Sequence, residues 1–173
     1  MTVPRSPDAI EPDQATAILA EFAAAVDLAL QFPADGCYAR THVMVHRLVD
    51  RGLAPSKVWA FVASATDLLW TETPDHSDGR AQWLYHVAPV LVVRSPDGDA
   101  QEMVFDPILF DRPIPVDEWR SALHDTPTLV RTTLGEPPLP AHGGSGYWPA
   151  PDPLEGPDVH ARETLEEYQQ WNA

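Results

Sequence analysis

The stretch Gln82–Arg94, reading QWLYHVAPVLVVR, and the shorter run Gln101–Phe105 flank the segment SPDGDA at residues 95–100. β-Branched and aromatic residues on either side of a Pro-Asp-Gly turn point to one local solution, an antiparallel hairpin. A sheet grown from that hairpin must cover its apolar faces, and the chain supplies the cover. Ile18, Phe22, Val26 and Leu30 recur every four residues, which predicts an amphipathic helix over 12–31, ended by Phe32-Pro33. Cys37, Thr41, Met44 and Leu48 fall on one face of a second helix, which starts after Asp35-Gly36 and closes at Arg51-Gly52. Val58–Val62 reads as a further strand, 71–80 as a loop, and Pro115–His124 as a short helix that buries Trp119 and Leu123. The expected fold class is α+β, an antiparallel sheet packed against helices.

A chain of 173 residues suits one such domain. Residues 1–11 are expected to be a flexible N-terminus and 12–135 the folded domain. Residues 136–173 hold seven prolines and four of the nine glycines. A segment of that composition cannot build a core of its own, so it either wraps the domain or stays mobile. Within it, 158–171 has the pattern of a short closing helix carrying Leu165, Tyr168 and Trp171.

Charge narrows the partners. The net charge is −15, and Lys57 is the only lysine. Phosphate backbones and anionic membrane surfaces are therefore poor partners, so neither nucleic acid nor membrane binding is expected. No apolar run approaches the roughly 18–20 residues that span a bilayer. The N-terminal residues lack an apolar core behind a basic start, and a cytoplasmic location is expected.

One cysteine, Cys37, excludes an internal disulfide and a zinc site built on several thiolates. His42 and His46 have the i, i+4 spacing of helical metal ligands, but no third ligand stands close in sequence. No metal and no organic cofactor is expected. Cys37 itself falls in the first turn of a helix, where the local field favours a thiolate. Unpaired amides of that turn can hold an oxyanion on a carbonyl attacked by the sulfur. Such a nucleophile needs a base, and the base needs an orienting group. Across the hairpin, His86 stands opposite Asp106 if the loop centres near Pro96. Centring it on the middle of 95–100 shifts the register by about three residues. In either case the two are near neighbours, and a carboxylate there can hold the imidazole tautomer.

Three motifs carry a resemblance. Asp35-Gly36-Cys37-Tyr38-Ala39-Arg40-Thr41-His42 resembles the DGCYARAH nucleophile motif of the bacterial protein glutaminases, the protein-glutamine deamidases. Trp83-Leu84-Tyr85-His86-Val87-Ala88 resembles their WxYHVA motif, and Phe105-Asp106-Pro107-Ile108-Leu109-Phe110 resembles their xDPSLF motif. The motifs occur in family order over about half of the chain. Thr41 replaces an Ala and Ile108 a Ser, both expected to be peripheral. The resemblance implies a transglutaminase-like, papain-related core, with 12–135 as the catalytic domain. It implies Cys37 as nucleophile, His86 as general base and acid, and Asp106 as its orienter. Tyr38, Trp83 and Tyr85, beside these positions, are candidates to line the acyl pocket. The implied reaction is deamidation of glutamine side chains in peptides or proteins through a thioester. The alternative keeps the triad but applies it to a small or carrier-bound amide, by hydrolysis or acyl transfer.

Overall fold

The first helix of the computed structural model, α1 (Pro12–Ala24), opens on a proline whose missing N–H costs nothing at that position. The structure describes residues 9–64, 66–72, 79–95 and 97–171. Ala15, Ile18, Leu19 and Phe22 form the buried stripe of α1. The helix does not continue to residue 31 as its periodicity suggests. Ala25 is extended, Val26–Leu28 form one 3-10 turn, and Ala29 is left-handed. Val26, expected in the core, is 81% exposed. The break comes at Ala25, whose N–H turns back to the Phe22 carbonyl, and the Arg40 guanidinium holds the non-helical segment that follows by the carbonyls of Leu28, Ala29, Phe32 and Asp35.

Helix α2 (Cys37–Asp50) follows. The strands are β1 (Ser56–Phe61), β2 (Leu69–Glu72), β3 (Arg80–Trp83), β4 (Tyr85–Arg94) and β5 (Ala100–Val104). The chain continues through β6 (Ile114–Pro115), α3 (Val116–Ala122), β7 (Thr128–Thr132) and α4 (Pro157–Gln170). The main sheet runs β6-β5-β4-β1-β7 with every pair antiparallel. The hairpin is therefore present, but the long run 82–94 is two strands. The chain bends at Leu84, which is 61% exposed, and β3 leaves the main sheet to pair with β2. Of the expected loop 71–80, the ends belong to β2 and β3, and residues 73–78 lie outside the described residues.

Both faces of the main sheet are covered. Trp59, Val87, Leu91 and Val93 pack with α1, α2 and α4 on one side. Val58, Ala60, Ala88, Val90 and Val104 pack with Leu69, Ala81, Trp119 and Leu123 on the other. That explains why β4 reads as a nearly continuous apolar run rather than an alternating one.

The segment 136–171 contributes to the first of these cores. Ala161, Leu165 and Tyr168 of α4 are buried, as is Tyr147. Of the N-terminus expected to be flexible, 1–8 lie outside the described residues, while Ile10 is buried and bridges the end of β4 through Val92 and Arg94. Among the described residues, no helix is long and apolar enough to cross a membrane.

Candidate active site

Cys37 is the first residue of α2, and the backbone before it turns through Gly36 in the left-handed region, φ +80°. Only glycine fits there. A Cβ on Gly36 would stand 2.7 Å from the Tyr168 ring, a separation that packed atoms do not tolerate. No side chain caps this helix start, so its first amides are not consumed by a local acceptor. Asp35, which could compete, has its carboxylate occupied by its neighbour's N–H and by the Tyr168 hydroxyl, 2.8 Å from Oδ2. Trp83 ties down the same approach by donating its indole N–H to the Pro33 carbonyl at 2.9 Å.

The loop 28–35 is further held by Arg40, one turn along α2 and fully buried. Its guanidinium has backbone carbonyls as hydrogen-bond partners: Leu28 at 2.8 Å, Ala29 at 3.0 Å, Asp35 at 2.5 Å, and Phe32. Burial without a bound carboxylate pulls its pKa below the usual value, while the nearby Cys37 sulfur acts in the opposite direction. Thr41, expected to be peripheral, is buried and donates its hydroxyl to the Val87 carbonyl at 2.9 Å. It joins the nucleophile's helix to the strand that carries His86.

His86 lies at the start of β4 and is buried. The register pairs Val90 with Val104, and β5 ends there. Asp106 thus stands just beyond the paired strand rather than directly opposite His86. The two nonetheless meet, His86 Nε2 lying 2.8 Å from Asp106 Oδ2. The same Oδ2 accepts the Trp119 indole N–H at 2.9 Å. Trp83 and Trp119 stack on the imidazole, with centroids at 4.6 and 5.7 Å. Burial alone would lower the His86 pKa, but the Asp106 charge, their hydrogen bond and the Cys37 sulfur together raise it to about 9. Burial likewise opposes ionisation of Asp106, yet His86, the Trp119 indole and the Ile108 amide hold it below the usual carboxylate value.

With Nε2 committed to Asp106, only Nδ1 of His86 is free to serve the sulfur. That atom is buried and makes no well-formed hydrogen bond to any described group, although the sulfur is close enough to influence the ring. The thiol lies 3.9 Å from the Tyr85 carbonyl. Cys37, His86 and Asp106 line one cavity with Arg40, Thr41 and Met44, holding about 10 Å³, room for no more than about one water.

The three candidate lining residues have different places. Tyr85 is half-buried beside the thiol and against Trp59 and Phe61. Trp83 is the platform under His86. Tyr38 sits inside the core, its ring 5.3 Å from Tyr147 and 5.4 Å from Trp148. Sequence reasoning missed the roles of Trp119, Arg40 and Thr41. Arg40 and Thr41 lie within the nucleophile motif and Trp119 reads only as a core residue, but sequence alone does not say which backbone or carboxylate groups their polar atoms meet.

Among solved structures, the chain is similar to protein glutaminases. The chain matches a pro-protein-glutaminase at TM-score 0.73 and 17% identity, covering 98% of this chain and 62% of that one. It matches a protein-glutaminase at 0.67 and 17%, covering 94% and 90%. The protein-glutaminase of Chryseobacterium proteolyticum matches at 0.63 and 21%, covering 82% and 72%. The chain spans about three fifths of the pro-forms. No curated protein matches it. At these identities the structures share the fold alone, the α+β architecture expected from the sequence. The profile described as Glutaminase matches residues 14–123, most of the chain and all of the Cys37, His86 and Asp106 cluster, and on that match the chain belongs to the glutaminase family.

Proposed function

We propose that the protein is a thiol-dependent amidohydrolase that converts glutamine side chains of peptides or proteins to glutamate and ammonia. The observation that carries this reading is the lone thiol at an uncapped helix start, beside a buried imidazole whose other nitrogen is held by Asp106. With its pKa raised to about 9, His86 is an imidazolium at neutral pH, the partner a thiolate needs.

The Cys37 thiolate attacks the carboxamide carbon, and the carbonyl oxygen becomes an oxyanion held by amides of the first turn of α2. His86 passes its Nδ1 proton to the amide nitrogen. The C–N bond breaks, ammonia leaves, and a thioester on Cys37 remains. Water then gives a proton to His86 and attacks the thioester, releasing the glutamate carboxyl and regenerating the thiolate. Asp106 keeps the ring oriented and offsets the charge on imidazolium throughout.

Cys37 is only 5% exposed, so the thiol sits below the surface. An amide carried on a slender two-carbon arm reaches it better than one on a single carbon. Tyr85, beside the sulfur, is the side chain placed to flank that arm. A net charge of −15 favours neutral or basic substrates in the encounter. A reactive thiol with no second cysteine to pair with suits a reducing compartment such as the cytoplasm.

The test is ammonia release from matched glutaminyl and asparaginyl peptides. The glutaminyl series should be the substrate and Cys37→Ala should abolish release. If neither series releases ammonia while Cys37 still alkylates rapidly, the reading moves to acyl transfer on a small or carrier-bound amide.

A further inference from the structure

On the far side of α2 from the triad, a groove of about 590 Å³ opens between α2 and α4. His42 and His46 project from successive turns of α2, their rings 4.4 Å apart. Asp158, the second residue of α4, reaches between them from 116 residues further along the chain. Its Oδ1 lies 2.6 Å from His42 Nε2 and 4.0 Å from His46 Nε2, and the three ligand atoms are all within 4.8 Å of one another. We infer that His42, His46 and Asp158 form a binding site for one divalent transition ion of the zinc type, which staples α4 to the helix that bears the nucleophile.

The geometry fits that ion. Ligand bonds of about 2.0–2.2 Å in a tetrahedron place neighbouring donor atoms about 3.3–3.6 Å apart. The two separations to Asp158 straddle those distances, and the imidazole nitrogens lie within 4.8 Å of each other, so swings of the exposed Asp158 and half-exposed His46 side chains bring all three into range. The donor set selects the class: two imidazoles with one carboxylate suit zinc, cobalt or nickel, while calcium and magnesium favour all-oxygen cages. His42 does not have to be ordered by the metal, since it is buried and packs edge-on against Tyr147, 5.0 Å between centroids. The groove supplies room for water on the remaining coordination positions. Its rim carries Asp27, Asp50 and Glu166 against Arg47 and Arg162, and Arg47 is already paired with Asp27. The local charge therefore favours a cation.

Sequence spacing supplies only two of these ligands, and the third exists only because α4 docks on α2. The consequence is mechanical. His42 is five residues after Cys37, about 140° around the helix, so the ion does not touch the thiol. It fixes the start of the helix whose Tyr168 holds Asp35, two residues before Cys37. The site is thus independent of the amidohydrolase reading.

Tag-free Cys37→Ser protein, which removes the competing thiol, is titrated with Co²⁺ by visible absorption and equilibrium dialysis. One site is expected, weakened at least about tenfold by His46→Ala and by Asp158→Asn; both side chains are at the surface, and circular dichroism checks that the variants fold. Hydrogen exchange of the α4 amides should slow on adding Zn²⁺ in the parent and not in either variant. Absence of Co²⁺ binding, or binding unchanged in both variants, overturns the site. Binding that leaves α4 exchange unaltered overturns the staple.

Discussion

Asp106 Oδ2 accepts two hydrogen bonds, from His86 and from the Trp119 indole, so one carboxylate oxygen sets both the tautomer and the position of the base. Asp106→Asn keeps the size of the side chain but can present an N–H to the ring. Ammonia release should fall by about 10³–10⁴-fold with the fold intact. Trp119→Phe should cost about 1.5–3 kcal/mol for the charged hydrogen bond alone in urea unfolding. The pair also has a pH signature. His86, raised to about 9 from 6.5, adds stability that is complete below pH 6.5 and lost as pH rises through about 9. Asp106, held below 3.8, adds stability present above 3.8 and lost as pH falls through its lowered value. The stability difference between wild type and Asp106→Asn should accordingly shrink between pH 6.5 and about 9. A difference that stays flat across that interval would mean the ring is neutral in the folded protein.

At the scale of elements, the hairpin, the second helix and its start at Cys37 were legible because they rest on local chemistry: β-branched runs, a Pro-Asp-Gly turn, and glycine before a helix. The His86–Asp106 contact was legible for the same reason, since a hairpin makes sequence neighbours spatial ones. What could not be read locally was where elements stop. The apolar spacing through Val26 and Leu30 is sound helix periodicity, yet the chain leaves the helix at Ala25, and Arg40, on another element, holds the carbonyls of the segment that follows. The run through Leu84 is sound strand sequence, but β3 pairs with β2 in another sheet. Arg40 is therefore the side chain to test. Lysine in its place is one point charge with three donors and cannot span carbonyls from Leu28 to Asp35. Arg40→Lys should lose about 2–4 kcal/mol, from carbonyls left unpaired, and Cys37 should alkylate more slowly as its approach loop relaxes. A variant as stable and as reactive as wild type would show that the loop stands without the clamp.

For the whole molecule, the composition of 136–173 left open whether the segment wraps the domain or stays mobile, and the buried charge of Lys57 bears on the answer. The only lysine of an acidic chain is not on its surface. It is 2% exposed on β1, with Nζ 2.6 Å from the Gly146 carbonyl, and burial lowers its pKa to about 8. A buried ammonium with, among the described residues, one hydrogen-bond partner makes that partner's position matter. Gly146 has φ +77°, and a Cβ there would fall 2.3 Å from the Glu136 carbonyl oxygen, so alanine must move the loop. Gly146→Ala then destabilises twice, once by strain and once by leaving the ammonium unsatisfied. Lys57→Met separates the two effects. It fills similar volume without a charge, so Gly146→Ala should cost less in the Lys57→Met background than in wild type, a coupling readable in a double-mutant cycle. The sign with pH is also fixed. Because the folded pKa is depressed, the desolvation cost is complete below pH 8 and is relieved as pH rises from about 8 to 10.5. Wild type should gain stability relative to Lys57→Met across that interval. If the two substitutions are additive at pH 7, the Gly146 loop does not hold the lysine, and docking of 136–171 rests on Tyr147, the apolar face of α4 and its Tyr168–Asp35 and Asp158–His42 contacts.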